Sequence, residues 1–413
     1  MGLTSEAIAD KSQTWWHLSS IQLVGGLISI PVIATGSQLF VSYGLINAIL
    51  SIIIGNFIVL IAGYAFICVS IKKRLNAVEN AKQFIGNISS KFLAFLILIG
   101  ALGWVALELQ ENLKILLKYP IFSKFSAGSF IGAIACLILL RGMKGIKILC
   151  TWAIIPLILL LIYILIRSHP QPIQHNFSGN HYLLSFPALS LALAPSITAV
   201  IEYPTFFRHS KTRKDAFITL GIIFLATSIL QACGILLFSY FIDSGQIFDD
   251  LLGSPYLLDA VFSIAFTILS LLGSIAWNVY VASVGWESLF PIFKDRTEYA
   301  VIGLVVITLF SSFGLETFFA NLPSQVDLIV SSIGGVILAC YLESKFRWNK
   351  TFDKPSLKGR NTICWLTASA AVLASEMGII FSHIDSLFSS FLIAFLISLL
   401  FAVTQRVIKN TNN

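Results

Sequence analysis

The side chains in this sequence that can do chemistry sit where charge is expensive. Gly103-Trp104-Val105-Ala106-Leu107-Glu108-Leu109-Gln110-Glu111 lies inside a long apolar run, with Trp104, Glu108 and Glu111 at i, i+4 and i+7. On a helix these three share one face. A carboxylate at bilayer depth is costly and as a rule faces a cavity or a partner, so Glu108 reads as a binding or proton-carrying group. Trp104, one turn earlier, offers a flat π surface on which a ring can stack while Glu108 accepts its N–H donors. A second apolar run, Gly273-Ser274-Ile275-Ala276-Trp277-Asn278-Val279-Tyr280, adds a hydroxyl, an amide and two aromatics. Trp277 and Tyr280 read equally well as helix packing. Glu376, late in the chain, reads as structural.

Other chemistries find no support. The six cysteines lie singly in apolar runs with no metal-ligand spacing and read as small packing residues. There is no phosphate-cradling glycine loop, no HExxH and no nucleophile elbow. His17, His169, His175, His181, His209 and His383 fall at span ends or loops rather than paired at depth. A membrane-embedded lipid enzyme is therefore a remote alternative, and no metal or cofactor is expected. The polar start Met1–Thr14 lacks the form of a cleavable signal. The longest hydrophilic stretch, 343–360, reads as a loop rather than an appended domain.

The elements that hold these residues follow from composition. Apolar residues make up 57% of the chain, charged ones 11%, and mean hydropathy is +0.87. A water-facing surface needs about 25% charged residues, so the solvent for most of this chain is lipid. A bilayer core takes roughly 20 apolar residues per helical span. Such runs lie near 17–40, 44–71, 92–116, 126–140, 148–166 and 182–203, then 216–242, 257–289, 299–315, 325–342, 362–381 and 385–405. The expected fold is an all-α integral membrane protein of twelve transmembrane helices, with 257–289 long enough to hide a break.

Charge sets the orientation. With both termini in the cytoplasm, the outer side keeps only Lys114, Lys118, Lys124 and Arg167 of the 27 Lys and Arg. That asymmetry is the positive-inside pattern of a multi-pass cell-membrane protein. The net charge of +7 thus reflects topology and not nucleic-acid binding. The implied partners are the lipid bilayer and a small molecule, with the chain acting as a monomer.

Two spans carry helix breakers. The first reads Gln22-Leu23-Val24-Gly25-Gly26-Leu27-Ile28-Ser29-Ile30-Pro31, and the sixth Phe186-Pro187, then Ala194-Pro195-Ser196-Ile197-Thr198. Unwound backbone at the midplane exposes N–H and C=O groups that bind substrates and ions in carriers, which makes Gly25, Gly26, Ser29 and Ser196 candidate substrate contacts. A broken first and sixth helix is the pattern of a five-plus-five inverted repeat. The single transporter domain 1–413 then divides into 17–166, 182–342 and a C-terminal helix pair, 362–405.

In order along the chain, four stretches resemble the nucleobase–cation symporter family that contains cytosine, hydantoin, allantoin and purine permeases. They are Trp15-Trp16 before the broken first span; Gly55-Asn56 with Gly63 and Phe84-Ile85-Gly86; Gly103-Trp104; and Glu202-Tyr203-Pro204-Thr205-Phe206-Phe207-Arg208 with Arg213-Lys214-Asp215-Ala216. The resemblance implies a leucine-transporter-type fold with substrate between the first, third, sixth and eighth helices. It implies that Trp104 stacks on the base, that Glu108 binds ring atoms where relatives carry an amide, and that Asn278 contacts substrate. Three departures stand out. The sixth-span aromatic of relatives falls near Leu193 or Ala194, Thr205 replaces an Arg, and the hydroxyl pair that ligates sodium in relatives reads Gly273-Ser274. One hydroxyl, Ser274, is a thin site for a hard cation, so coupling to H⁺ through Glu108 stands beside coupling to Na⁺. The leading expectation is a cation-coupled symporter importing a nucleobase or related flat heterocycle, and the alternative is an amino-acid or amine permease of the same fold.

Overall fold

Caps and close-packed glycines, more than hydropathy, decide where the helices of this chain start, break and touch. The computed structural model describes residues 11–117, 124–167, 184–237, 256–293, 296–313, 322–345, 355–377 and 386–411. In order these form α1 (Trp15–Gln22), a π-helical turn (Leu23–Leu27), α2 (Ile30–Tyr43), α3 (Leu45–Lys73), α4 (Ala77–Leu116), α5 (Lys124–Leu139) and α6 (Gly142–Arg167). There follow α7 (Phe186–Leu193), α8 (Ala199–Phe207), α9 (Arg213–Leu236), α10 (Leu257–Leu289), α11 (Arg296–Ser312), α12 (Leu322–Lys345), α13 (Pro355–Glu376) and α14 (Ser386–Thr411).

Among the described residues seven helices are long and apolar enough to cross a membrane, or eight with the bent pair α1–α2 taken as one span. The other expected spans are helical too, as α5, α7 with α8, α11 and α13, but are shorter or less apolar. Length and composition thus mark seven or eight of the expected spans among the described residues.

Three local expectations change. The segment between the expected second and third spans, left outside the apolar runs, is helical from Ala77. Asn76 Oδ1 accepts from the Glu79 N–H at 2.8 Å while the Glu79 carboxylate accepts from the Asn76 N–H at 2.9 Å, a reciprocal cap that starts the helix early. Gly86, at φ 83°, then turns the chain within α4, a backbone region that favours glycine. The 257–289 run is one uninterrupted helix of 33 residues. The ends of the hydrophilic 343–360 stretch belong to α12 and α13, where buried Glu343 and Arg360 form an ion pair at 2.8 Å. Arg360 also donates to Gln405 of α14 at 3.1 Å, so one guanidinium fork ties three helices.

Glycines let the remaining helices approach. A Cβ on Gly36 of α2 would lie 1.8 Å from the Gln231 carbonyl of α9, and one on Gly234 of α9 would lie 1.9 Å from the Ile33 carbonyl of α2. The two backbones touch in both directions, and Ser37 Oγ donates to the Gly234 carbonyl at 2.5 Å. Small residues at such crossings replace the hydrophobic driving force that lipid cannot supply.

Candidate functional site

The first span breaks because its backbone finds partners elsewhere. Ile28 N–H bonds back to the Leu23 carbonyl at 2.8 Å, closing the π-type turn, and α1 and α2 meet at a 64° bend. Carbonyls released there are taken up locally. Ser29 Oγ donates to the Gly26 carbonyl at 2.9 Å, and Ser270 Oγ of α10 donates to the Ile28 carbonyl at 3.0 Å. The sixth span breaks between α7 and α8, over residues 194–198. Its position is held by a chain of amides in which Asn56 of α3 donates to Gln231 of α9 at 2.9 Å and Gln231 donates to the Ala192 carbonyl at 2.9 Å.

Between the two breaks lies a cavity of about 310 Å³, within the size range of small-molecule sites. It brings together Gly25, Gly26, Ser29, Trp104, Glu108, Ser274 and Asn278, residues read as site candidates from the sequence. Ser196 is buried in the sixth-span break but is not among the lining residues. The side chain of Glu111 lies outside what the structure describes. Glu376 is exposed at the end of α13, away from the cavity.

Each polar group has a defined setting. Glu108 is buried and accepts from Asn112 Nδ2 at 3.2 Å one turn on. Asn278 spends its amide N–H groups on the Ser274 carbonyl at 3.1 Å and the Ser274 Oγ at 3.3 Å, which leaves its Oδ1 for a ligand. The Trp277 ring packs against the Gly25 backbone, where a Cβ would come within 2.4 Å of it. The ring also stacks on Phe206, centroids 5.1 Å apart and planes 15° apart. Trp277 is therefore held between the first span and Phe206 of α8. Gly273 is not merely a missing hydroxyl. A Cβ there would lie 2.3 Å from the Val24 carbonyl, so α10 lies directly on the unwound turn of the first span.

Sequence reasoning missed three polar residues that line this cavity. Asp327 of α12 is buried and shares the cavity wall with Trp104. Glu202 of α8 was seen only as part of a motif. Gln22, at the end of α1, had been quoted only as the start of the broken stretch. The signal for Asp327 was present, since it is an acid inside an apolar run and meets the criterion that singled out Glu108.

At the end of the molecule where the chain enters α1, the two broken spans are pinned to each other. Gln13 N–H bonds to the His209 carbonyl at 3.1 Å, and Lys211 N–H bonds to the Gln13 carbonyl at 2.7 Å. Arg74 Nη1 donates to the carbonyls of Arg208 at 2.5 Å and Ser210 at 2.7 Å. Trp15 N–H reaches the Asp215 carboxylate at 3.0 Å.

The chain's fold has solved counterparts among membrane carriers. A sodium-coupled sialic acid symporter in a substrate-bound outward-open state superposes with a TM-score of 0.74 at 14% identity, over 98% of this chain and 92% of that one. Mhp1, a nucleobase-cation-symport-1 family transporter, in a closed conformation with bromovinylhydantoin bound, gives a TM-score of 0.64 at 16% identity, over 97% and 94%. A manganese transporter of Eremococcus coleocola gives 0.54 at 13% identity, over 98% and 99%. No protein-family profile and no curated protein matches the sequence. At these identities the likeness is one of fold. The chain has the all-helical fold shared by these leucine-transporter-type carriers, which are transporters and not enzymes.

Proposed function

We propose that this chain is a cation-coupled secondary transporter that imports a nucleobase or a related flat heterocycle across the cell membrane. The observation that carries the reading is a cavity at the crossing of two broken spans, where Trp104, Glu108, Ser274 and Asn278 meet. Trp104 stacks on the ring, Glu108 and Asn278 Oδ1 accept its N–H donors, and the bent backbone at Gly25, Gly26 and Ser29 supplies further polar atoms. Ser196, buried beside the cavity, belongs to the break that lets the sixth span move. The full topology in this proposal is twelve spans, with a five-plus-five repeat over 17–166 and 182–342 and a C-terminal pair over 362–405. The working unit is a monomer.

A second reading, an amine or amino-acid permease, is favoured by the cavity's acids, Glu108, Glu202 and Asp327. An acid such as sialic acid finds no basic side chain among the described lining residues. Manganese transport has no support of its own, because no group of three or more metal-ligating side chains occurs among the described residues. The discriminating experiment is uptake of radiolabelled bases and amino acids by a transport-deficient cell expressing the full chain. Saturable accumulation of a base supports the proposal, and accumulation of amino acids alone replaces it with the second reading.

Coupling is expected to run on the proton gradient, with little or no stimulation by sodium. The Val24 backbone fills the space beside Gly273, and Ser274 Oγ already holds Asn278. Hard cations need several oxygens. Uptake measured with and without sodium at fixed pH is expected to differ by less than about twofold, a difference worth under half a kcal/mol. Steep sodium stimulation abolished by Ser274→Ala would show an intact sodium site.

Both termini are expected in the cytoplasm, on the strength of the Lys and Arg asymmetry. The loop at Asn349, which lies outside the described residues, belongs to the same side. A cysteine introduced at Asn349 is expected to resist impermeant thiol reagents in intact cells and to react after permeabilisation. Labelling in intact cells reverses the topology.

A further inference from the structure

The cavity is lined by three carboxylates, Glu108, Glu202 and Asp327, and by no Lys, Arg or His among the described residues. Their settings differ. Glu108 is partnered by Asn112 along its own helix. Asp327 is buried on α12 and lies near Glu202 of α8, on the same cavity wall as Trp104. Glu202 is half-buried, and no hydrogen-bond donor among the described residues reaches it. An acidic pair facing a cavity without a basic neighbour takes up protons unless a cation completes it, so a cationic ligand is what keeps both groups charged.

A second feature points to a ligand. Two more lining residues, Gln22 and Tyr203, are 4% and 1% exposed, and their polar atoms, Gln22 Nε2 and Tyr203 Oη, have no partner among the described residues. Buried polar atoms are nearly always hydrogen-bonded. These two come from α1 and α8 and flank the same cavity as Glu202. The site therefore offers unused donors and an unused carboxylate beside an aromatic face.

We infer that the transported molecule carries a positive charge, an amine or amidine, which Glu202 and Asp327 receive together while its body lies against Trp104. This rests on the reading that the cavity is the substrate site, and it narrows the substrate class within it. Two carboxylates give charge-assisted hydrogen bonds to an ammonium or amidinium, roughly twice as strong as neutral ones. The Trp104 face, on the same cavity wall, adds cation–π attraction. A neutral cargo can donate to Glu202 but brings no counter-charge to the acidic pair, and an anion meets three carboxylates.

The test uses the full-length protein in nanodiscs of zwitterionic lipid and measures equilibrium binding of four probes. Isonicotinamide and 4-amidinopyridine are planar isosteres, one neutral and one cationic. Cytosine is a neutral base, and cadaverine is a cation without a ring. The amidine is expected to bind at least about tenfold more tightly than the amide, the size of one good hydrogen bond. Asp327→Asn and Glu202→Gln are each expected to bring that ratio toward one. Glu202→Gln is the safer variant, since Glu202 has no hydrogen bond to lose. Equal affinity for the isosteres, or a preference unchanged in both variants, overturns the inference. Cytosine binding in the same preparation would then show that the heterocycle reading survives. Cadaverine binding with no response to any ring would instead retain the charge and remove the heterocycle.

Discussion

Trp104→Ala is expected to abolish measurable substrate binding, whereas Glu108→Gln is expected to keep binding and lose accumulation. Trp104 sits on α4 at the cavity wall. Removing it deletes a stacking surface worth about 1–3 kcal/mol. That predicts a loss of affinity of up to roughly 100-fold, since each 1.4 kcal/mol is about tenfold. Glu108→Gln preserves shape, one acceptor and the contact with Asn112, but an amide cannot carry a proton. Substrate exchange at equal concentrations should therefore continue, while uphill uptake driven by a pH gradient should fall to the level of passive equilibration. Proteoliposome exchange and uptake, run side by side, separate the two. Uphill uptake by Glu108→Gln at wild-type level across pH removes the coupling role, and normal binding by Trp104→Ala moves the platform elsewhere.

The largest effect on folding is expected at the α2–α9 crossing. Gly234→Val puts a branched side chain where even a Cβ would lie 1.9 Å from the Ile33 carbonyl and 3.1 Å from the Ser37 amide nitrogen. Both are backbone atoms, so no side-chain rotation relieves the clash. Overpacking a tight core costs typically 1–3 kcal/mol and occasionally more, and a clash with backbone belongs at the upper end. The variant is expected to lose most of its folded, monodisperse yield and to melt well below the parent in a detergent thermal scan. Gly221→Ala, on the same helix with no atom within 4 Å of the added Cβ, serves as the control and should melt within a few degrees of the parent. Equal melting of the two variants would mean that the helices do not cross this closely.

Much of the architecture was legible because lipid imposes simple rules. Runs of about 20 apolar residues mark helices, and nearly every expected run is helical. Breakers mark breaks, and Gly25-Gly26 with Pro31 lie at the observed bend. Helical periodicity put Trp104 and Glu108 on one face, and both line the cavity. The misses have physical causes. The early start of α4 depends on the Asn76–Glu79 cap, a short-range signal inside a stretch too polar to read as membrane. Asp327 and Glu202 lie far apart in the chain and became a pair only when α8 and α12 were placed against one cavity.

The sequence by itself determined the solvent of this protein, the helical class, the location of both broken spans and the face that carries Trp104 and Glu108. These depend on composition and on neighbours within a few turns, where residue type and spacing act directly. Tertiary structure alone decided which residues share the cavity. Ser196 lies outside its lining and Gln22, Glu202, Tyr203 and Asp327 lie within it. It also turned Gly273 from a lost ligand into a contact point for the Val24 carbonyl. Cavities are made where helices distant in the chain approach to within a glycine's width, and that approach is set by packing between backbones, which no single stretch of sequence records.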